Sequence, residues 1–202
     1  MSYLFIDSTY DLTLGVLDDG LSWLSFERET GQKASQIIQK KAFELLTKHN
    51  LKPENLKGII TVNGPGFYTG LRLAEGFSDV FSFFGINQFS FYSYEVPLWC
   101  GHTEGTWFTK AYRGEYFFYH WKNDESWFEL MSAKELKIGE EQYFIHSPGS
   151  LDTLSAGLIK NPIETFNLLR DCPQKVFPHV LKGPKREPFY FRAPEDEFKA
   201  NP

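Results

Sequence analysis

The stretch NGPGFYTGLR, from Asn63 to Arg72, directly follows the apolar run Gly58 to Val62. A short apolar run that ends in glycine and proline is typical of a buried strand that enters a tight turn. Beyond the turn, apolar residues recur at helical spacing from about Thr69 to Phe84, and Gly85 is placed to end that helix. The stretch therefore predicts a strand, a turn and a helix, the unit of an α/β fold.

The elements around this unit follow a definite order. Three strand-like segments come first, and the last two of them are joined by an Asp-Asp-Gly turn. An amphipathic helix follows, and the next strand is expected to run parallel to the first because a helix connects the two. These segments are Tyr3 to Asp7, Leu12 to Leu17, Leu21 to Glu29, the helix that follows Gly31 and ends near Asn50, the strand Lys57 to Val62, and a fifth strand Gln88 to Tyr94. This is the order of a ribonuclease H-like unit.

The second half of the chain reads as a shorter and more irregular α/β region. A hairpin is expected around Arg113-Gly114, Ser132 and Glu135 have capping-box spacing, and the proline-rich stretch 173–202 is expected to be extended. The other predicted elements are strands Trp127 to Met131 and Gln142 to His146 and short helices Ser150 to Ile159 and Ile163 to Arg170. We predict three parts: 1–95, 96–186 and an extended tail, 187–202.

Composition indicates an ordinary globular protein. The chain has 202 residues, of which 42% are hydrophobic, and its 21 basic against 26 acidic residues give a net charge of −5. This charge gives no general attraction to nucleic acid, so an RNA would be held by a partner. No apolar run is long enough to cross a membrane and no signal peptide precedes the first strand, so we expect a soluble, cytoplasmic protein. Cys100 and Cys172 are expected to be buried thiols.

The glycine-rich turn admits two interpretations. A phosphate loop needs consecutive backbone N–H groups and usually a lysine, but Pro65 has no N–H, and bulky Phe67 and Tyr68 follow. A tight turn needs the glycines for their backbone freedom and would use Thr69 as the helix cap. The sequence favours the tight turn. Arg72 would then lie in the first helical turn, where the helix dipole disfavours a cation, so a carboxylate from Asp7 or another chain is expected nearby.

Catalytic chemistry finds little support in the sequence. Asp7 ends the first strand, where phosphate-transferring relatives of this fold place a carboxylate, but no second carboxylate matches. We assign Asp7 as a vestigial site that caps a turn or pairs with Arg72. Ser147 beside His146 lacks a nucleophile elbow. The five histidines are scattered without metal-binding spacing: His49, His102, His120, His146 and His179. No catalytic residue and no metal ligand is predicted.

Four motifs together resemble the TsaB (YeaZ) family of tRNA threonylcarbamoyladenosine biosynthesis proteins. The stretch Asn63 to Arg72 is similar to the family's GPGSFTGLR signature. Ile6 to Thr9 resembles its opening IDTS, Ala111 to Tyr116 its DARxGEVY hairpin, and Glu187 to Arg192 its terminal EPxYLR. The motifs occur in order along the whole chain. The signature turn comprises Asn63, Gly64, Pro65, Gly66, Thr69, Gly70 and Arg72.

The sequence also departs from the family pattern. Phe67 replaces a serine, and Ala74 and Glu75 replace an isoleucine-glycine pair. Lys33 stands where a histidine is common, and Lys110 replaces the acidic residue of the hairpin. These changes are typical of a divergent member.

The resemblance implies two ribonuclease H-like subdomains of the actin-like ATPase superfamily, the second truncated. It implies a non-catalytic scaffold that binds no cofactor alone and pairs with TsaD, on which ATP and metal are expected. That complex transfers a threonylcarbamoyl group to N6 of adenosine 37 in ANN-decoding tRNAs, with the ATPase TsaE resetting it. The tRNA would be met indirectly, through the complex.

The second helix suggests where a partner would bind. Leu73, Phe77, Val80 and Phe84 form one stripe that can face the sheet, and further apolar residues lie beside it. Either another part of the chain covers these, or the two helices form a face for a partner, as in the family. The interface residues predicted on this basis are Ile38, Lys41, Leu45, Leu71, Ala74, Ser78 and Phe81. Two alternatives stay open: a residual ATPase or M22-like protease, and a homodimer without a tRNA role.

Overall fold

The structure is a computed structural model that describes residues 2–135, 139, 141–146, 159 and 161–191. The chain divides into two compact units. The first comprises Met1–Tyr92 and Pro173–Phe189, and the second comprises Ser93–Cys172 and Tyr190–Pro202. The sequence placed the first boundary near residue 95 and assigned residues 173–186 to the second domain, whereas in the structure these residues pack with the first unit.

The first unit has the predicted order of strands and helices. Its sheet has the strand order β3-β2-β1-β4-β5, in which β1, β2 and β3 are antiparallel and β4 and β5 run parallel to β1. The elements are β1 (Ser2–Asp7), β2 (Leu12–Leu17), β3 (Trp23–Glu29), α1 (Ala34–Lys48), β4 (Leu56–Val62), α2 (Tyr68–Ser82) and β5 (Asn87–Phe91). The helical connections bring β4 and β5 back parallel to β1, as such crossovers require.

Helices α1 and α2 cover one face of this sheet. Their apolar residues join those of the strands in one continuous core that includes Leu4, Ile6, Ile38, Ala74 and Phe81. The other side of the sheet carries an aromatic cluster in which Phe5 meets Trp23, Phe26, Phe91 and Phe177 at ring-centroid distances between 5.5 and 6.4 Å. The sheet is therefore buried on both faces, which explains why β1 and β2 are almost wholly apolar.

The second unit repeats the same topology. Its sheet has the order β8-β7-β6-β9-β10, with three antiparallel strands followed by two short parallel ones. The elements are α3 (Glu95–Trp99), β6 (Glu104–Lys110), β7 (Glu115–Lys122), β8 (Glu125–Ser132), β9 (Tyr143–Ile145), β10 (Ile163–Glu164) and α4 (Thr165–Asp171). The chain thus has two ribonuclease H-like units, the second with short fourth and fifth strands, and this is the actin-like ATPase superfamily fold predicted from the sequence.

The largest error of the sequence analysis lies near the C-terminus. The stretch 173–202 was expected to be extended, but Pro173–Lys182 forms a helix, α5. Pro173 occupies its first position, where the missing N–H costs nothing. Burial of Val176, Phe177 and Val180 offsets the hydrogen bond that Pro178 removes inside the helix. Helix α3, which contains Pro97, was also missed.

Some predictions concern residues that the structure does not describe. Most of the helix predicted from Ser150 to Ile159, together with Ser147 and Arg192, lies outside the described residues. The predicted capping box is formed in part, since the Ser132 N–H and hydroxyl both donate to Glu135 Oε2, at 3.0 and 2.8 Å. Within the described ranges, none of the helices has the length and apolar character that crossing a membrane requires.

Candidate functional site

The signature turn lies at the C-terminal ends of β4 and β5, where it binds the segment Arg186–Phe189, here called the strap. The Phe189 N–H donates to the Asn63 carbonyl at 2.8 Å, and Gly64 has a φ of +115°. A Cβ atom on Gly64 would lie 2.5 Å from the Phe189 carbonyl oxygen. Glycine is therefore needed at position 64 both for its backbone angle and because the strap passes close to it. The following peptide bond, to Pro65, is cis.

Asn63 links the turn to the strap through its side chain. Its amide nitrogen donates to the Arg186 carbonyl at 2.7 Å, and its amide oxygen accepts from the Thr61 hydroxyl at 2.9 Å. On the neighbouring strand, Ser90 Oγ accepts from the Arg186 N–H at 2.6 Å. Asn63 and Ser90 are both buried, so these bonds are shielded from water. The polar groups at the ends of β4 and β5 are thus engaged by the chain itself.

The other two glycines of the signature allow the turn between β1 and β2 to approach. A Cβ on Gly66 would lie 2.8 Å from the Cβ of Thr9, and one on Gly70 would overlap the Ser8 carbonyl oxygen. The Ser8 hydroxyl donates to the Gly70 carbonyl at 2.7 Å. The glycines therefore permit packing of one backbone turn on another, which supports the tight-turn interpretation over the phosphate loop.

Asp7 caps the turn that follows β1. Its Oδ1 accepts from the Thr9 N–H at 2.9 Å and from the Thr9 hydroxyl at 2.5 Å, and the residue is buried. Among the residues that the structure describes, no group of three His, Cys, Asp or Glu side chains could hold a metal ion. Asp7 therefore caps this turn, which is one of the two roles that the sequence left open.

Two details of the signature differ from the sequence analysis. Thr69 was expected to cap α2, but Phe67 holds the N-cap position and no side chain caps the helix there. The carboxylate expected near Arg72 is Glu75, whose Oε2 lies 2.6 Å from Nη1, and the guanidinium also lies over the Tyr68 ring at 5.6 Å. Glu75 had been noted only as a departure from the family pattern, although its i, i+3 spacing was visible.

The space beside the signature turn is small. A cavity of about 200 Å³ lies between the two turns and the start of α1, bordered by Ser8, Tyr10, Lys33 and Phe67. Pockets that bury a drug-sized ligand commonly measure roughly 300–1,000 Å³. This cavity is therefore too small to enclose a whole nucleotide within the first unit.

Six of the seven predicted interface residues are buried in the core of their own unit. Their exposed fractions are 5% or less, so they offer little surface to a partner: Ile38, Leu45, Leu71, Ala74, Ser78 and Phe81. Lys41 is half-buried and pairs with Glu29 at 2.7 Å. The sequence analysis misjudged the rotation of α2. The face with Leu71, Ala74 and Phe81 packs on the sheet, whereas Val80 and Phe84, assigned to the sheet, point outwards.

The structure instead exposes a different apolar surface on the same two helices. Phe43 is 50% exposed, Val80 54%, Phe84 70% and Phe83 88%. A groove of about 290 Å³, here called the α1–α2 groove, runs between Phe43, Val80 and Phe84. Its lining is Gln39, Phe43, Pro53, Glu54, Phe77, Val80, Phe81 and Phe84. Several exposed aromatic side chains around one groove are unusual for a surface that faces only water.

The two units, with matching strand order, define a protein of the actin-like ATPase superfamily fold. Neither a family model nor a curated protein matches the sequence. The structure is similar to YeaZ from Pseudomonas aeruginosa, with a TM-score of 0.62 and 13% identity over 88% of this chain and 92% of that one. It is also similar to a structure titled as an uncharacterized protein with similarity to peptidase YeaZ from Pseudomonas aeruginosa. There the TM-score is 0.65 and the identity 15%, over 95% and 99% of the chains. At this identity the likeness shows the fold and not the activity.

Proposed function

We propose that the protein is a non-catalytic scaffold of the TsaB type, which pairs with a TsaD subunit for threonylcarbamoyl transfer to N6 of adenosine 37 in tRNA. The four sequence motifs and the structural similarity to YeaZ support this proposal. In this proposal ATP and metal bind to the partner subunits, and TsaE is a further partner. The tRNA is bound indirectly, through the complex.

The observation that carries the proposal is the α1–α2 groove. Phe43, Val80 and Phe84 together expose far more apolar side chain than an isolated surface helix requires. Aromatic residues that line a pocket are the usual anchors of protein interfaces. We therefore assign the partner interface to this outer face of α1 and α2, in place of the buried residues expected from the sequence.

The signature turn favours a scaffold over an enzyme. Gly64, Gly66 and Gly70 each accommodate a neighbouring piece of backbone, and Asn63 and Ser90 hold the strap. The turn residues that would face a phosphate in an active relative thus form contacts within this chain. Titration of the purified protein with ATP and Mg²⁺ tests this point, and tight binding with turnover would contradict it.

Pull-down with TsaD from the same organism tests the interface. Val80→Asp and Phe84→Asp each place a charge on the exposed groove, so the fold should persist while the complex weakens at least tenfold. Leu24→Asp is the matched control, since Leu24 is 44% exposed on β3 and does not line the groove. Phe81→Asp is unsuitable, because it would bury a charge in the core.

Two outcomes would redirect the proposal. An unchanged complex in both groove variants would remove this surface as the interface. If the protein alone forms a stable dimer that the groove variants dissociate, and TsaD does not displace it, the homodimer is the better description. Restoration of tRNA modification in a reaction that contains TsaD and TsaE tests the function itself.

A further inference from the structure

The sheet of the second unit carries a polar cavity that the proposed function does not use. Thr106, His120 and Trp127 lie opposite one another on β6, β7 and β8. Together with Glu141 they border a cavity of about 410 Å³, and a smaller one of about 190 Å³ adjoins it at His120 and Glu129. One wall of the cavity is aromatic. It consists of the Trp127 and His120 rings, which stack at a centroid distance of 4.9 Å and an angle of 14°.

A chain of hydrogen bonds orients the His120 ring. Burial raises the pKa of Tyr143 to about 12, so its hydroxyl keeps its proton and donates to Glu141 Oε1 at 2.8 Å. The Thr106 hydroxyl donates to the same oxygen at 3.3 Å. We assign the one proton of that hydroxyl to Glu141, which makes the hydroxyl oxygen the acceptor of His120 Nδ1–H at 2.9 Å. In this assignment the ring is the tautomer whose Nε2 carries a lone pair.

The Nε2 lone pair has no hydrogen-bond partner within the described part of the chain, although the atom is buried. Glu129 Oε2 lies 3.9 Å away, and Trp127 Nε1–H fixes that carboxylate by donating to Oε1 at 3.1 Å. Burial lowers the pKa of His120 below its ordinary value of 6.5, so the ring is neutral at physiological pH. With this tautomer two acceptors face each other, and an N–H donor that slightly displaces the partly exposed Glu129 side chain would satisfy both.

The charges around the cavity select a cation. Among the described residues that line the two cavities, Glu104 and Lys122 pair at 3.3 Å, and Glu129, Glu141 and Glu135 carry the remaining negative charges. The described residues offer no set of three side chains for a metal ion, so a cation here must bring its own N–H groups. The half-exposed Trp127 ring, 46% accessible, offers a flat face for such a group.

We propose that these two cavities, which share Thr106, His120 and Glu141, bind an organic cation, an alkylammonium or guanidinium group, between His120 Nε2 and the Glu129 carboxylate and beside the Trp127 ring. The cation belongs either to a free amine or to a lysine or arginine side chain of a peptide. The proposal concerns the second unit alone and does not depend on the proposed function.

NMR titration of the whole protein tests the site. Propylguanidinium should shift the His120 ring and Trp127 indole resonances with millimolar affinity, as expected for so small a ligand, while its neutral analogue propylurea should not. Glu129→Gln should weaken binding by about tenfold, because a charge-assisted hydrogen bond is lost. Glu125→Gln is the matched control, since it removes one charge on the same side of β8 away from both cavities.

A capped arginine peptide, titrated in parallel, identifies the source of the cation. Tighter binding of the peptide assigns the site to a protein side chain, and weaker binding assigns it to a free amine. Affinity should also fall as His120 becomes protonated, because an imidazolium no longer accepts a hydrogen bond. Equal binding of propylurea, an unchanged affinity in the Glu129→Gln variant, or no shift at His120 would overturn the proposal.

Discussion

The contact between Gly64 and the strap gives a quantitative test of what the signature turn does. In Gly64→Ala the new Cβ would lie 2.5 Å from the Phe189 carbonyl oxygen, at a φ of +115°. Backbone strain of this kind costs about 1–3 kcal/mol. Displacing the strap would also break the hydrogen bond from Phe189 N–H to Asn63, worth about 1 kcal/mol. We therefore expect the free energy of unfolding to fall by about 2–4 kcal/mol.

The variant Gly85→Ala separates the effect of backbone strain from the effect of a steric clash with the strap. Gly85 has a φ of +75° and nothing within 4 Å of its Cβ position, so this variant has the strain without the clash. Urea unfolding should show a loss of about 1–2 kcal/mol for Gly85→Ala and a larger loss for Gly64→Ala. With a urea m-value of about 2 kcal/mol/M, the midpoint of Gly64→Ala falls by about 1–2 M.

Hydrogen exchange shows whether the strap is released. Protection of the Phe189 amide should decrease in Gly64→Ala and remain in Gly85→Ala, because only the first variant disturbs the bond to Asn63. If the two variants lose equal stability and Phe189 keeps its protection, the strap is not what requires glycine at position 64.

Three further variants follow from the same geometry. Asn63→Ala leaves the Arg186 carbonyl and the Thr61 hydroxyl without this partner, so urea unfolding should show a loss of about 2–3 kcal/mol. Gly76→Ala should raise stability by about 1 kcal/mol in the same assay, because Gly76 is exposed inside α2 with open space at its Cβ. Because the pKa of His120 is lowered in the folded state, the unfolded state binds more protons as pH falls below about 6.5. Stability should therefore decrease towards pH 5, and His120→Gln should flatten that decrease in pH-dependent urea unfolding.

The order of elements could be predicted because it depends on local patterns. The alternation in β2 and β3, the helical spacing in α1 and the glycine punctuation after β4 each report on neighbours in sequence. The tight turn could also be preferred over a phosphate loop from single residues, because Pro65 has no N–H and Phe67 is bulky. What the sequence did not indicate was the purpose of Gly64, because the strap that it contacts lies more than a hundred residues further along the chain.

The rotation of α2 shows why most of the interface residues predicted from the sequence are buried. With phenylalanine or leucine at positions 71, 73, 77, 81 and 84, two stripes satisfy helical spacing, and periodicity alone does not choose between them. The choice is made by volume at the sheet, where Ala74 lies fully buried and Phe81 packs in the same core. The surplus apolar residues, which are Val80, Phe83 and Phe84, must then point outwards. The excess of apolar residues therefore forms the α1–α2 groove with Phe43, and Val80 and Phe84 lie on the opposite side of the helix from Leu71 and Ala74.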